Sequence, residues 1–256
     1  MNIQVLGAHN CESQNTKLTS LLVDNIVVID AGGLTSSLSF QAQREIKAIL
    51  LTHQHYDHIK DVPAIVFNFA MWNAGIDVYA ALPVYESLTT HLLNDEVYPR
   101  FLGRPSENPR SRFIEIEPYK TEQIEGYSIL PVPVNHSVPT VGYQITSPDG
   151  KVLFYTADTG PDLAVCWENV APQLLIIEVS APDRFEELYR KRGHLTPNLL
   201  RQELTSFQEL KGYLPQVVIV HLNPGLEAEI RAEVATVAED LNHPISIGYE
   251  GMELHL

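Results

Sequence analysis

A chain of 256 residues with 45% hydrophobic content can bury a sizeable core and still fold as one unit, so a single α/β enzyme domain over residues 1–256 is expected. No apolar run is long enough to span a membrane, and no internal repeat, low-complexity segment or basic amphipathic leader is visible. The net charge of −15 argues against a long nucleic-acid partner, which needs a basic stripe to neutralise its phosphates.

In chain order, apolar runs read as strands over residues 3–6, 19–23, 26–29 and 46–51, with Asp24-Asn25 as a turn between the second and third. A helix is expected over 61–72, where Pro63 is tolerated in the first turn. A strand at 77–80 and a helix at 84–93 follow. Residues 94–112 are rich in Pro, Arg, Asn and Gly and read as a long loop, a kind of segment that is often functional. Strands over 112–117, 127–134, 141–146 and 152–156 open a second, similar half. Strand and helix then alternate through 174–178, 197–210, 216–220 and 226–241, which implies two sheets with helices outside. Acidic residues crowd 183–187 and 227–240 and read as solvated faces, and the densest cationic stretches, 100–112 and 184–201, suit a small anion better than a large RNA. Cys11 and Cys166 form no disulfide framework and suit a reducing, cytoplasmic setting.

The densest chemistry lies in His53-Gln54-His55-Tyr56-Asp57-His58. Three imidazoles and a carboxylate in six residues suit a borderline divalent ion, zinc first, with manganese or iron as alternatives. The stretch follows a buried strand and precedes a helix, where open α/β sheets build their sites. Four ligands so close in sequence cannot easily converge on one ion, so two neighbouring ions are expected. The bland alternative is a loop of solvated or cap-forming histidines.

The HxHxDH pattern resembles the signature of metallo-β-lactamase-fold hydrolases. That resemblance implies an αββα sandwich of four layers, with two packed mixed sheets and helices outside. It also implies that His53 and His55 bind one metal while Asp57 and His58 bind the other. Three later residues, each where an apolar strand stops, match the remaining ligands: His136 for the first metal, Asp158 as the bridge, and His221 for the second. His136-Ser137-Val138-Pro139-Thr140-Val141-Gly142-Tyr143 and Ala157-Asp158-Thr159 look like the RNase Z branch of the family. Gly193-His194-Leu195-Thr196-Pro197 is similar to a sequence in class II cyclic-nucleotide phosphodiesterases, and with Glu178 it resembles a Glu/His phosphodiesterase pair. A plain helix start at Thr196-Pro197 is the competing reading of His194. The chain fits neither branch cleanly. It has no long Gly/Pro-rich insertion of the kind RNase Z uses to grip tRNA, and its residues after His136 differ from those typical of class II enzymes.

The implied activity is hydrolysis of a small phosphodiester, with a cyclic nucleotide as the leading substrate. Two ions about 3.5–4 Å apart would activate a water for in-line attack. Asp57 would serve as a ligand and orient that water, His194 would protonate the leaving oxygen, and Glu178 would orient His194. His9 and Asn10 would either line the pocket or make a polar turn, and Cys11 reads either as a thiol near the site or as an ordinary exposed one. Alternatives are an RNase Z-like tRNA 3′ endonuclease, a thioesterase or lactonase of the same fold, and a metal-binding partner subunit with a vestigial site. No membrane partner is expected, and the sequence leaves a homodimer open.

Overall fold

The computed structural model describes residues 1–107 and 109–256, and it divides into two compact units. The first unit comprises residues 1–7, 17–117 and 250–255. Its strands are β1 (Asn2–Gly7), β2 (Ser20–Val23), β3 (Val27–Ile29), β4 (Ala48–Leu50), β5 (Asp77–Ala80), β6 (Leu102–Gly103) and β7 (Ser111–Glu115), with a closing strand, Glu253–His255. They form one sheet in the order closing strand, β1, β2, β3, β4, β5, β7, β6. The pairs β1–β2 and β2–β3 are antiparallel, whereas β3–β4 and β4–β5 are parallel. β2, β3 and β4 are buried along their whole length, which is why their sequences are continuous apolar runs rather than alternating ones.

Helix Val62–Met71 packs Val62, Ile65, Val66 and Phe69 into the same core as Val28, Ile49 and Val78. Pro63 sits at its start, as expected. The helix expected over 84–93 is realised in two parts. An α segment, Leu82–Ser87, runs into a wider π turn, Leu88–Leu92. The expected 94–112 loop holds more structure than its composition suggested, because it contributes β6 and a 3₁₀ turn at Pro105–Glu107. Asp24 and Asn25 both take positive φ, 46° and 62°, as a tight β2–β3 turn requires.

The second unit comprises residues 8–16, 118–249 and 256. Its strands are β8 (Glu122–Ile124), β9 (Tyr127–Pro133), β10 (Val141–Thr146), β11 (Val152–Tyr155), β12 (Leu174–Glu178), β13 (Gln216–Val220) and β14 (Ile245–Ile247). Their order in the sheet is simply sequential. β9 and β11 both run antiparallel to β10, so they point the same way. β12 and β13 then follow β11 in parallel. The C-terminal ends of β9, β11, β12 and β13 therefore share one edge of the sheet, and this polarity positions the chemistry described below.

Helix Pro197–Lys211 buries Leu199, Leu200, Leu204 and Phe207 against this sheet's core, each worth roughly 1.5–3 kcal/mol on burial. Gly212, in the left-handed region at φ 77°, ends it. The same helix buries a charged residue, Glu203, whose carboxylate accepts from the Asp162 and Leu163 amides and from Trp167 Nε1 at 2.8, 3.2 and 3.0 Å. Glu203→Ala removes all three hydrogen bonds and leaves their donors without this acceptor, at roughly 1–3 kcal/mol for each that is fully desolvated. The expected result is a loss of about 2–3 kcal/mol, read as a drop of roughly 5–10 °C in a thermal melt. No helix among the described residues is long and apolar enough to cross a membrane.

Candidate metal centre

In the first unit the ligand-rich stretch begins as β4 ends. His55 is the N-cap residue of the short helix Tyr56–Ile59, and this turn gathers the side chains. The His53 ring lies 4.7 Å from His55 and 4.2 Å from His58, centroid to centroid. Asp57 Oδ2 is 3.6 Å from His58 Nε2. Gly32 makes the turn possible, since a Cβ there would sit 2.0 Å from the Asp57 carbonyl oxygen.

Asp30, just past β3, anchors this cluster and was not singled out from the sequence. It is fully buried and takes a positive φ of 57°, an unusual conformation for a non-glycine residue. Its Oδ2 accepts from His58 Nδ1 at 2.7 Å. Its carboxylate also accepts the Thr52 amide at 2.9 Å and the Thr52 hydroxyl at 3.0 Å. Thr52 Oγ1 in turn lies 2.9 Å from His53 Nδ1. The hydroxyl proton goes to the carboxylate, so the hydroxyl accepts from His53. Both buried imidazoles are thus held at Nδ1, the arrangement by which metal-binding histidines present Nε2.

The second unit gathers His136 after β9, Asp158 after β11, Glu178 at the end of β12 and His221 after β13, all on the shared strand-end edge. His136 donates through Nδ1 to the Gly193 carbonyl at 2.7 Å, and its Nε2 is 3.9 Å from Asp158 Oδ2. Burial pushes the His136 imidazole below its usual range and so favours the neutral form a metal needs, with Asp158 acting in the opposite direction. Gly193 takes φ 75° and passes so close to His136 that a Cβ would meet its Cα at 2.9 Å. His221 Nε2 lies 3.3 Å from Asp158 Oδ1. Backbone strain marks this edge as well, because Ala157 and His221 both take positive φ, 61° and 62°.

His194 reaches the same edge from the loop before helix Pro197–Lys211. Its Nδ1 is 2.6 Å from Glu178 Oε1, its ring stacks on His221 at 5.5 Å, and its side chain keeps 17% exposure. The helix start at Thr196-Pro197 is present too, so both readings of His194 describe the same segment. His9 is buried, with Nε2 3.4 Å from Glu227 Oε2, while the Asn10 side chain donates to the His221 carbonyl at 3.3 Å. Asn10 therefore braces the backbone of His221. Cys11 is an exposed free thiol, and burial raises the pKa of Cys166 and keeps its thiol protonated.

Groups of imidazole and carboxylate donors among the described residues could therefore hold a divalent ion, and the donor chemistry fits zinc or a similar metal. A family profile described as "Beta-lactamase superfamily domain" matches residues 26–222, most of the chain. The chain belongs to the β-lactamase superfamily. This superfamily member is a metal-dependent hydrolase of the metallo-β-lactamase fold. It is 23% identical over 250 residues to a 3′,5′-cyclic-nucleotide phosphodiesterase of Aliivibrio fischeri, with 78% of this chain and 73% of that protein covered. Its fold is similar to that of unliganded yeast PDE1, with a TM-score of 0.83 at 17% identity over 100% of this chain and 99% of that one. It is likewise similar to Zn²⁺-bound PqqB of Methylobacterium extorquens, with a TM-score of 0.73 at 18% identity over 100% of each chain.

Proposed function

We propose that this hydrolase cleaves a small phosphodiester with the help of two divalent ions, and that a 3′,5′-cyclic nucleotide is its leading substrate. The observation that carries the reading is the His194–Glu178 pair. A partly exposed imidazole is held at 2.6 Å by a fully buried carboxylate, on the strand edge that also presents His136, Asp158 and His221. A phosphodiester leaves an alkoxide that needs a proton, and this pair is built to deliver one. The phosphodiesterase of Aliivibrio fischeri supports the same substrate class.

In this reading His53, His55 and His136 would hold one ion, Asp57, His58 and His221 would hold the other, and Asp158 would serve both. Zinc is the first choice, in keeping with zinc-bound PqqB, and manganese or iron are alternatives. Bound there, the ions would supply Lewis acidity for a water and for the phosphoryl oxygens. His194 would protonate the departing oxygen from Nε2 while Glu178 holds Nδ1. Asp57, at the rim of its cluster with 26% of its side chain exposed, would orient the attacking water. A cytoplasmic location suits the free thiols Cys11 and Cys166.

The second reading is an RNase Z-like tRNA endonuclease, which the run from His136 to Tyr143 favours. Charge disfavours it. Four of the nine cations in the two basic stretches pair with local carboxylates: Arg112 with Asp77 at 2.7 Å, Arg184 with Glu229 at 2.9 Å, Arg190 with Glu186 at 3.0 Å and Lys191 with Glu187 at 2.7 Å. The test is an activity panel on metal-reconstituted protein, with bis(p-nitrophenyl) phosphate, cyclic nucleotides, precursor tRNA, a thioester and a lactone. Cyclic nucleotides and the chromogenic diester are expected to turn over, while precursor tRNA is bound weakly at physiological salt. Efficient single cleavage beside the acceptor stem would put the endonuclease first, and turnover of the thioester or lactone alone would overturn the phosphodiesterase reading.

A further inference from the structure

Glu178, His194 and His221 lie close enough together to be mistaken for a third metal site. Their centre is filled instead by the Ser180 hydroxyl. Ser180 is fully buried, and its Oγ lies 2.6 Å from Glu178 Oε2 and 2.8 Å from His221 Nδ1. Longer contacts of 3.4 Å reach His194 Nδ1 and the His221 carbonyl. A hydroxyl has one proton to give and lone pairs to accept with, and a carboxylate only accepts. The short bond to Glu178 therefore takes the Ser180 proton. The lone pairs of Ser180 then face His221 Nδ1, which must carry a hydrogen.

We propose that Ser180 is a positioning residue that passes the anchoring effect of Glu178 to His221, so that one buried carboxylate fixes the ring tautomers of both His194 and His221. Glu178 Oε1 serves His194 directly, and Glu178 Oε2 serves His221 through the hydroxyl. Without the relay His221 Nδ1 would face Glu178 Oε2 across 4.0 Å, too far for a hydrogen bond. The first unit contains the same device in separate residues. There Asp30 holds His58 directly and His53 through the Thr52 hydroxyl, with the same proton order. Two independent occurrences of carboxylate, hydroxyl and paired imidazoles indicate a recurring way of presenting Nε2. The hydrogen-bond order stands on the geometry alone, while its benefit to an ion at His221 rests on the reading proposed above.

The experiment is ¹⁵N NMR of the histidine rings in metal-free protein, with signals assigned from single-histidine variants, for wild type, Ser180→Ala, Ser180→Thr and Glu178→Gln. Wild type is expected to show His194 and His221 protonated at Nδ1. Ser180→Ala should release His221 into a mixture of tautomers and leave His194 unchanged. Ser180→Thr should restore the wild-type pattern, and Glu178→Gln should disturb both rings. On zinc titration, Ser180→Ala should bind one of two ions roughly 10–100-fold more weakly. A wild-type His221 protonated at Nε2, or a Ser180→Ala spectrum identical to wild type, would overturn the relay. Failure of every phosphodiester in the activity panel would sink the proposed function and leave the NMR result standing, so the two failures are distinguishable.

Discussion

Asp158→Ala is expected to yield a folded protein that retains neither metal ion and hydrolyses no phosphodiester at a measurable rate. Asp158 is 1% exposed, and its two oxygens face two different imidazoles, Oδ2 toward His136 and Oδ1 toward His221. Loss of a partner behind a ligand typically costs about 10–100-fold in metal affinity. Asp158 is read as a ligand itself and as one shared by both ions, so its loss should exceed that range at each. Asp57→Ala is the companion variant. Asp57 Oδ2 lies 3.6 Å from His58 Nε2, and Asp57 is read as a ligand of one ion alone, so its removal should empty one position and spare the other. Elemental analysis after reconstitution, with the rate on bis(p-nitrophenyl) phosphate, separates the outcomes. Equal loss of both ions in the two variants would mean that the bridging role is wrongly assigned.

What the sequence made legible here depended on whether the signal was local. β4, β12 and β13 are read easily because strands buried on both faces are continuous apolar runs, and the ligands stand where those runs stop. Asp30, Thr52 and Ser180 escaped the reading for the opposite reason. Asp30 and Ser180 act on histidines through tertiary geometry, across 28 and 41 positions, and no spacing rule links a buried polar group to so distant a ring; Thr52 neighbours His53 in sequence, but its role depends on the distant Asp30. The one local hint was an Asp closing the apolar run Val27-Val28-Ile29. Helix Glu186–Arg192 was hidden by composition. It is mostly charged, has no buried residue and so reads as a solvated charged stretch. The short helices Leu34–Ser37 and Ala164–Asn169 are too brief to show a period. The role of Gly193 lies partly in a carbonyl, which has no side-chain signature at all.

The other large effect concerns His194, and leaving-group chemistry makes it diagnostic. With a ribose hydroxyl as leaving group, His194→Ala should lower kcat by about 10²–10⁴-fold, the usual worth of a positioned general acid. With p-nitrophenolate, which departs without a proton, the same variant should lose little. The geometry explains why His194 suits this task better than its neighbours. His136 and His221 present Nε2 toward Asp158 from buried positions, whereas the His194 ring keeps 17% exposure and can be reprotonated from solvent. Glu178→Gln should give a weaker version of the same split, since it removes the charge behind Nδ1 but leaves the ring in place. Metal content should remain at two ions in His194→Ala, because His194 is no ligand in this scheme. Equal slowing of both leaving groups would recast His194 as a substrate-positioning group, and loss of an ion would recast it as a ligand. In either case the proton would have to come from another donor on this edge.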